Sequence, residues 1–182
     1  MTFGIPQTPD ELTLQIERCF DGAVCSDDRL SATVSLSRRK DGLLIRAQSP
    51  LLHDQSIPEA PKGTRVGNLW NYDVVEVFLV GPGHRYLEIE LGAGGHWLVL
   101  GFDRIRHREN EFESFSPTFR YWKTEDRAWV SQIVIPWEMI PENIRAMNAF
   151  MIAAGKFLAW SPVPGVKPDF HQPDSFPSVY FA

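Results

Sequence analysis

Short apolar runs separated by turn residues recur along the whole chain, and almost no stretch carries the 3.6-residue period of an amphipathic helix. This pattern predicts an all-β protein, an antiparallel β-sandwich. Strands are expected at Leu12–Glu17, Ala32–Ser37, Leu43–Gln48, Val74–Val80, Arg85–Leu91, His96–Phe102, Thr118–Lys123, Trp129–Ile135, Ala149–Gly155, Phe157–Trp160 and Ser178–Phe181. The turns between them have readable chemistry. Asp41-Gly42 is a hairpin signal, because Gly adopts the backbone angles that such turns require. Gly81-Pro82-Gly83-His84 and Gly92-Ala93-Gly94-Gly95 join three successive strands, so Val74–Phe102 reads as a meander. One helical turn is expected at Trp137–Ile140, stopped by Pro141.

Two segments break the rhythm. Ser49–Leu69 holds three Pro and two Gly, and Ser161–Pro177 holds five Pro. Proline cannot donate to a strand ladder, so both are loops. Loops of this length in a compact domain are commonly functional. The aromatic and His content of Asp169-Phe170-His171 favours an ordered one. No internal repeat or low-complexity linker is visible, so residues 1–182 are expected to form a single domain.

Within the meander, Leu69-Trp70-Asn71-Tyr72-Asp73-Val74-Val75-Glu76 carries the most chemistry. Glu76 sits in the middle of an apolar strand, where burial without a partner is costly. Trp70, six residues upstream, offers a flat apolar face. A Trp beside a hydrogen-bonding carboxylate is a minimal arrangement for holding a sugar ring. Glu88, Glu90 and Tyr86 share one strand face by alternation. A four-residue connection would set Glu76 opposite Ile89, on the other face. A bulge, or a three- or five-residue loop, would set it with Glu88 or Glu90.

Composition narrows the partners. The chain is 43% hydrophobic with six Trp and 12 Phe, enough for a substantial core. Eighteen Lys and Arg against 23 Asp and Glu leave a formal charge of −5, which argues against nucleic acid. The basic stretch Asp103–Arg108 is followed by acidic residues and reads as a solvated loop. Cys19 and Cys25 read as free thiols of a reducing compartment. No signal peptide and no apolar stretch of membrane-spanning length is evident, so a cytoplasmic protein without a membrane partner is expected.

The blocks Leu69–Glu76, Tyr86–Leu91, Gly95–Leu100, Ile135–Trp137 and Lys167–His171, in order and spacing over residues 66–176, carry a family resemblance. They resemble the DOMON-like relatives of the type 9 carbohydrate-binding modules, and within that group an uncharacterised family of bacteria and animals. The resemblance implies a sandwich of two antiparallel sheets with a ligand groove. In the sugar-binding modules a Trp precedes the strand and the Glu bonds sugar hydroxyls; Trp70 and Glu76 match these positions. Phe170 matches a second aromatic that closes on the ring's other face. Glu88 and Glu90 stand where the modules have Arg and Asn, and Ala153 stands where they have Gln. The resemblance also favours a common face for Glu76, Glu88 and Glu90. Three carboxylates near one groove favour a cationic ligand or a metal over a neutral sugar.

The sequence therefore points to a non-catalytic domain for a small saccharide or sugar-like ligand, with Trp70, Glu76, Phe170, Glu88, Glu90, Tyr86 and His171 as ligand-binding residues. Alternatives are an enzyme acting on a sugar derivative through paired carboxylates and a protein-interaction module. No catalytic residue, metal ligand or cofactor is assigned. Other DOMON proteins hold haem through Met and His, but Met139, Met147 and Met151 have no His at a telling spacing. No nucleotide-binding loop or nucleophile elbow occurs.

Overall fold

The computed structural model describes residues 1–182. Its strands are β1 (Thr2–Ile5), β2 (Leu12–Ile16), β3 (Arg18–Cys19), β4 (Ala32–Arg39), β5 (Gly42–Pro50), β6 (Val74–Val80), β7 (Tyr86–Gly92), β8 (Trp97–Arg104), β9 (His107–Asn110), β10 (Phe119–Lys123), β11 (Ala128–Ile135), β12 (Ala146–Ala153), β13 (Lys156–Ala159) and β14 (Ser178–Phe181). Helix is confined to single 3₁₀ turns at Leu69–Asn71, Pro82–His84, Trp137–Met139 and Pro173–Ser175. No helix is long and apolar enough to cross a membrane.

The strands form a two-sheet sandwich. One sheet runs β1-β14-β12-β6-β7-β8-β9, with β13 on β12 and β3 on β13; the other runs β10-β11-β5-β4-β2. Every pair is antiparallel except β1 with β14 at one edge. All eleven expected strands are present. The expected Ala149–Gly155 strand begins three residues earlier, at Ala146, because Ala146 pairs with both Val80 and Ser178. β1, β3 and β9 are additional. Each is four residues or fewer, and β9 is wholly exposed, so none leaves an alternating apolar pattern.

Alternation sorts the side chains of the larger sheet. Val75, Val77 and Leu79 of β6, Leu87, Ile89 and Leu91 of β7, and Met147 and Met151 of β12 enter the sandwich interior. Each such side chain contributes roughly 1.5–3 kcal/mol by burial. The opposite face is also covered. Phe78, Tyr86, Leu98, Phe102 and Phe150 pack there with Leu69, Val163, Phe170 and Phe176, drawn from the two proline-rich loops. This second apolar layer explains why β6 and β7 are buried at every position.

Buried polar groups lock the loops down. Trp97 Nε1 donates to the Gly63 carbonyl at 3.0 Å, and His96 Nε2 lies 2.9 Å from the Ala60 carbonyl oxygen. Either His96 or Trp97 is expected from alternation to face solvent. Instead both are buried, because the first long loop covers the side that would otherwise be wet. Asp73 accepts from the Ser56 amide at 3.1 Å and the Ala154 amide at 3.2 Å, tying that loop to the β12–β13 turn.

Candidate functional site

The β6–β7 connection sets the site. It contains five residues, 81–85, closed by a 2.8 Å bond from the Gly81 amide to the Arg85 carbonyl. The fifth residue moves the register by one relative to the four-residue connection. Glu76 then stands opposite Glu90, and Phe78 opposite Glu88. All three glutamates share the loop-covered face of the sheet.

A cavity of about 310 Å³ opens between this face and the two loops, lined by residues that include Trp70, Glu76, Glu88, Phe157, Phe170 and His171. Its size is at the low end of the ~300–1,000 Å³ typical of ligand pockets. Trp70 is half-buried. Phe170 is only 7% exposed and stacks on Phe150, with centroids 4.0 Å apart and planes 9° from parallel. One face of Phe170 is thus committed to Phe150, and the remainder of the side chain borders the cavity.

The expected ligand-binding residues are brought to the cavity only in part. Glu76 and Glu88 line the cavity, whereas Glu90 and Tyr86 lie outside its wall. Glu90 is completely buried, and neither of its carboxyl oxygens has a hydrogen-bond partner; the Trp70 amide is nearby without reaching bonding geometry. Tyr86 stacks flat on Phe102 at 4.4 Å and hydrogen-bonds His171 Nδ1 at 2.7 Å. It acts on the cavity through His171. Ala153, which stands where the modules have Gln, does not line the cavity. It belongs to the sandwich interior, and its neighbour Ile152 reaches the cavity instead.

The basic stretch is the residue set that the sequence misassigned. Arg106 and Arg108 both line the cavity. Arg104 pairs with His107 across a tight β8–β9 turn, in which Arg106 takes a left-handed φ of 61°. Such turns are normally marked by Gly or Asn, and neither is present, so the hairpin had no signal. The Arg106 amide donates to Tyr86 Oη at 2.9 Å, and its guanidinium donates to Asp169 Oδ1 at 2.6 Å. Asp169 Oδ1 also accepts the His171 amide at 3.0 Å, which shapes the Asp169-Phe170-His171 turn. The Arg108 guanidinium sits 5.0 Å from the centroid of the Trp70 ring, a cation–π arrangement, and bonds Glu111 at 3.3 Å. Lys167 is exposed and does not line the cavity.

These placements set the protonation pattern. Burial pushes the Glu88 carboxyl up to about 7, against the pull of Arg108 and Arg106. Burial raises Glu76 well above the usual carboxylate range, helped by the charge of Glu88. Glu90 is raised well above it by burial and by Glu76 and Glu88. His171 is pushed down to about 4 by burial and by Arg106. The cavity therefore presents one carboxyl, Glu88, that exchanges its proton near neutrality and a second, Glu76, raised well above the usual carboxylate range, beside a neutral imidazole. No group of three His, Cys, Asp or Glu side chains has the geometry to hold a metal ion.

No family model matches the chain. It is 31% identical over 160 residues to the UPF0462 protein C4orf33 homolog of Danio rerio, covering 82% of this chain and 80% of that protein. It is 30% identical over 182 residues to the UPF0462 protein C4orf33 of Homo sapiens, covering 93% of this chain and 88% of that one. Among solved structures, it superposes on a candidate carbohydrate-binding protein from Bacteroides uniformis with a TM-score of 0.72 and 15% identity, over 100% of this chain and 98% of that one. It also superposes on a family 9 carbohydrate-binding module from Caldicellulosiruptor kristjanssonii in complex with cellotriose, with a TM-score of 0.54, 11% identity, and coverage of 100% and 93%. At these identities the likeness is one of fold.

Proposed function

This chain belongs to the UPF0462 family, and we propose that it binds a small saccharide or sugar-like molecule without converting it. The observation that carries this reading is the single cavity bordered by Trp70 and Phe170 with Glu76 and Glu88 between them. An aromatic wall takes the apolar C–H face of a ring, while carboxyl oxygens accept hydrogen bonds from its hydroxyls. The carbohydrate-bound module of the same fold supports the choice of ligand class. The protein acts as one domain, supported by the pairing of β1 with β14. A cytoplasmic location is supported by the free Cys19 and Cys25.

A thermal-shift screen with mono- and disaccharides tests the proposal. A bound sugar at a hundredfold excess over Kd adds about 2.7 kcal/mol of stability. The shift should disappear in Trp70→Ala. A sugar shift that survives this substitution, or no shift with any sugar, overturns the reading.

A second reading, catalysis on a sugar derivative, is favoured by one observation: Glu88 holds its proton up to about pH 7, as a general acid must. It predicts turnover of chromogenic glycosides that vanishes in Glu88→Gln. Without turnover by the wild type, the binding reading stands alone.

A further inference from the structure

The rim and the floor of the cavity differ in how their charges are matched. At the rim, Arg106 is paired with Asp169 at 2.6 Å, and Arg108 with Glu111 at 3.3 Å. At the floor, Glu76 and Glu88 are 2% and 4% exposed, and neither forms an ion pair or a side-chain hydrogen bond within the chain. One oxygen of Glu88 is fully enclosed without a partner, and the same is true of both oxygens of Glu90, directly across from Glu76. Thus each arginine already has a carboxylate, while Glu76 and Glu88, which line the floor, have no partner within the chain.

Burying carboxyl groups in this state is costly unless something else completes them. What completes their ionised form must bring donors, and preferably positive charge, through the cavity mouth. It must also present an apolar face, because Trp70, Ile152, Phe157 and Phe170 form the walls. A sugar hydroxyl brings one donor and no charge. A protonated amine brings three donors and a full charge to the same volume. We infer that the ligand is an amine-bearing sugar, whose ammonium group sits on Glu76 and Glu88 while its ring lies against Trp70. This inference rests on the proposed saccharide binding and names the class of saccharide.

Titration calorimetry at pH 7 with glucosamine, glucose and N-acetylglucosamine tests it. These probes share a ring, but only glucosamine carries a charged amine. The expected result is at least a tenfold preference for glucosamine over both others, falling below threefold in Glu88→Gln or in Glu76→Gln. Should either glutamine variant fail to fold, the comparison among the three sugars on the wild type still decides. Glucose binding as tightly as glucosamine overturns the amine assignment and leaves saccharide binding in place. Failure of all three sugars to bind the folded wild type overturns both.

Discussion

The hydroxyl of Tyr86 stands 2.7 Å from Nδ1 of His171. The same hydroxyl oxygen accepts the Arg106 amide at 2.9 Å, so its proton is directed to the imidazole. His171 is therefore held as a neutral ring protonated on Nε2, consistent with its lowered pKa of about 4. One phenol thus joins β7, the β8–β9 turn and the second long loop behind the cavity wall. Tyr86→Phe should cost about 1–2 kcal/mol in urea unfolding, since the Arg106 amide and the His171 imidazole each lose their partner. It should also weaken saccharide binding several-fold by loosening His171. Unchanged stability together with unchanged imidazole NMR shifts would show that the phenol does not hold the ring.

Stability should fall as pH rises above about 6.5. A carboxyl whose folded pKa is raised contributes stability that is complete below its unfolded value and is lost as pH passes through the folded value. For Glu88 that window runs from the ordinary 4.5 to about 7 and corresponds to at most about 3 kcal/mol. Glu76 and Glu90, also raised by burial, act in the same direction. His171 acts in the other direction: its contribution is present above 6.5 and is lost as pH falls toward 4. From pH 6.5 to 8.5 only the carboxyls contribute among these groups, so Tm should decline. Glu88→Gln should flatten that decline. A wild-type Tm that is level across this range contradicts the assigned burial of the three groups.

Asp73 should prove structural. Its carboxylate accepts amides from Ser56 and Ala154, segments far apart in the chain. Asp73→Ala leaves both amides without that acceptor and should cost roughly 2–4 kcal/mol by chemical denaturation. A loss below about 0.5 kcal/mol would mean that water replaces the carboxylate freely.

Gly42 begins β5 with φ of 151°, and a Cβ there would strike the Ile135 carbonyl oxygen. Gly42→Ala should destabilise by more than about 2 kcal/mol, because neither the backbone angle nor the adjacent strand can yield cheaply. Measuring the urea midpoint with an unchanged m-value tests this. A midpoint equal to that of the wild type would refute it.

The meander was legible because Val74–Val80 is a short apolar run bounded by turn residues and followed by a Gly- and Pro-containing connection. The pairing of Glu76 with Glu90 was open, because it depends on one loop residue, Arg85, whose place inside or outside the hairpin leaves no compositional trace. Trp70, singled out by its spacing from Glu76, and Phe170, singled out by resemblance, both line the cavity. Arg106 and Arg108 were missed because charge pattern alone described them, and charge pattern does not reveal that a turn folds back over a cavity. Tyr86 was placed on the correct strand face yet too far forward, since alternation gives the side of a sheet and not the depth under a loop. Ala153 was named through the resemblance, and it lies in the sandwich interior one residue from Ile152, which reaches the cavity.

The parallel pairing of Thr2–Ile5 with Ser178–Phe181 has a consequence for synthesis. Residues at the start of the chain cannot complete their sheet until residue 178 has been made. At ~5–20 residues per second, Phe3 and Ile5 wait on the order of 10–35 s for their partners. During that time the β12 end that later pairs with β14 is also an open edge. Interruption just before Ser178 would leave two unpaired strand segments on one nascent chain, each able to join another such chain. Synthesis of β14 thus decides whether β1 and the Ala146 end of β12 are paired or left open.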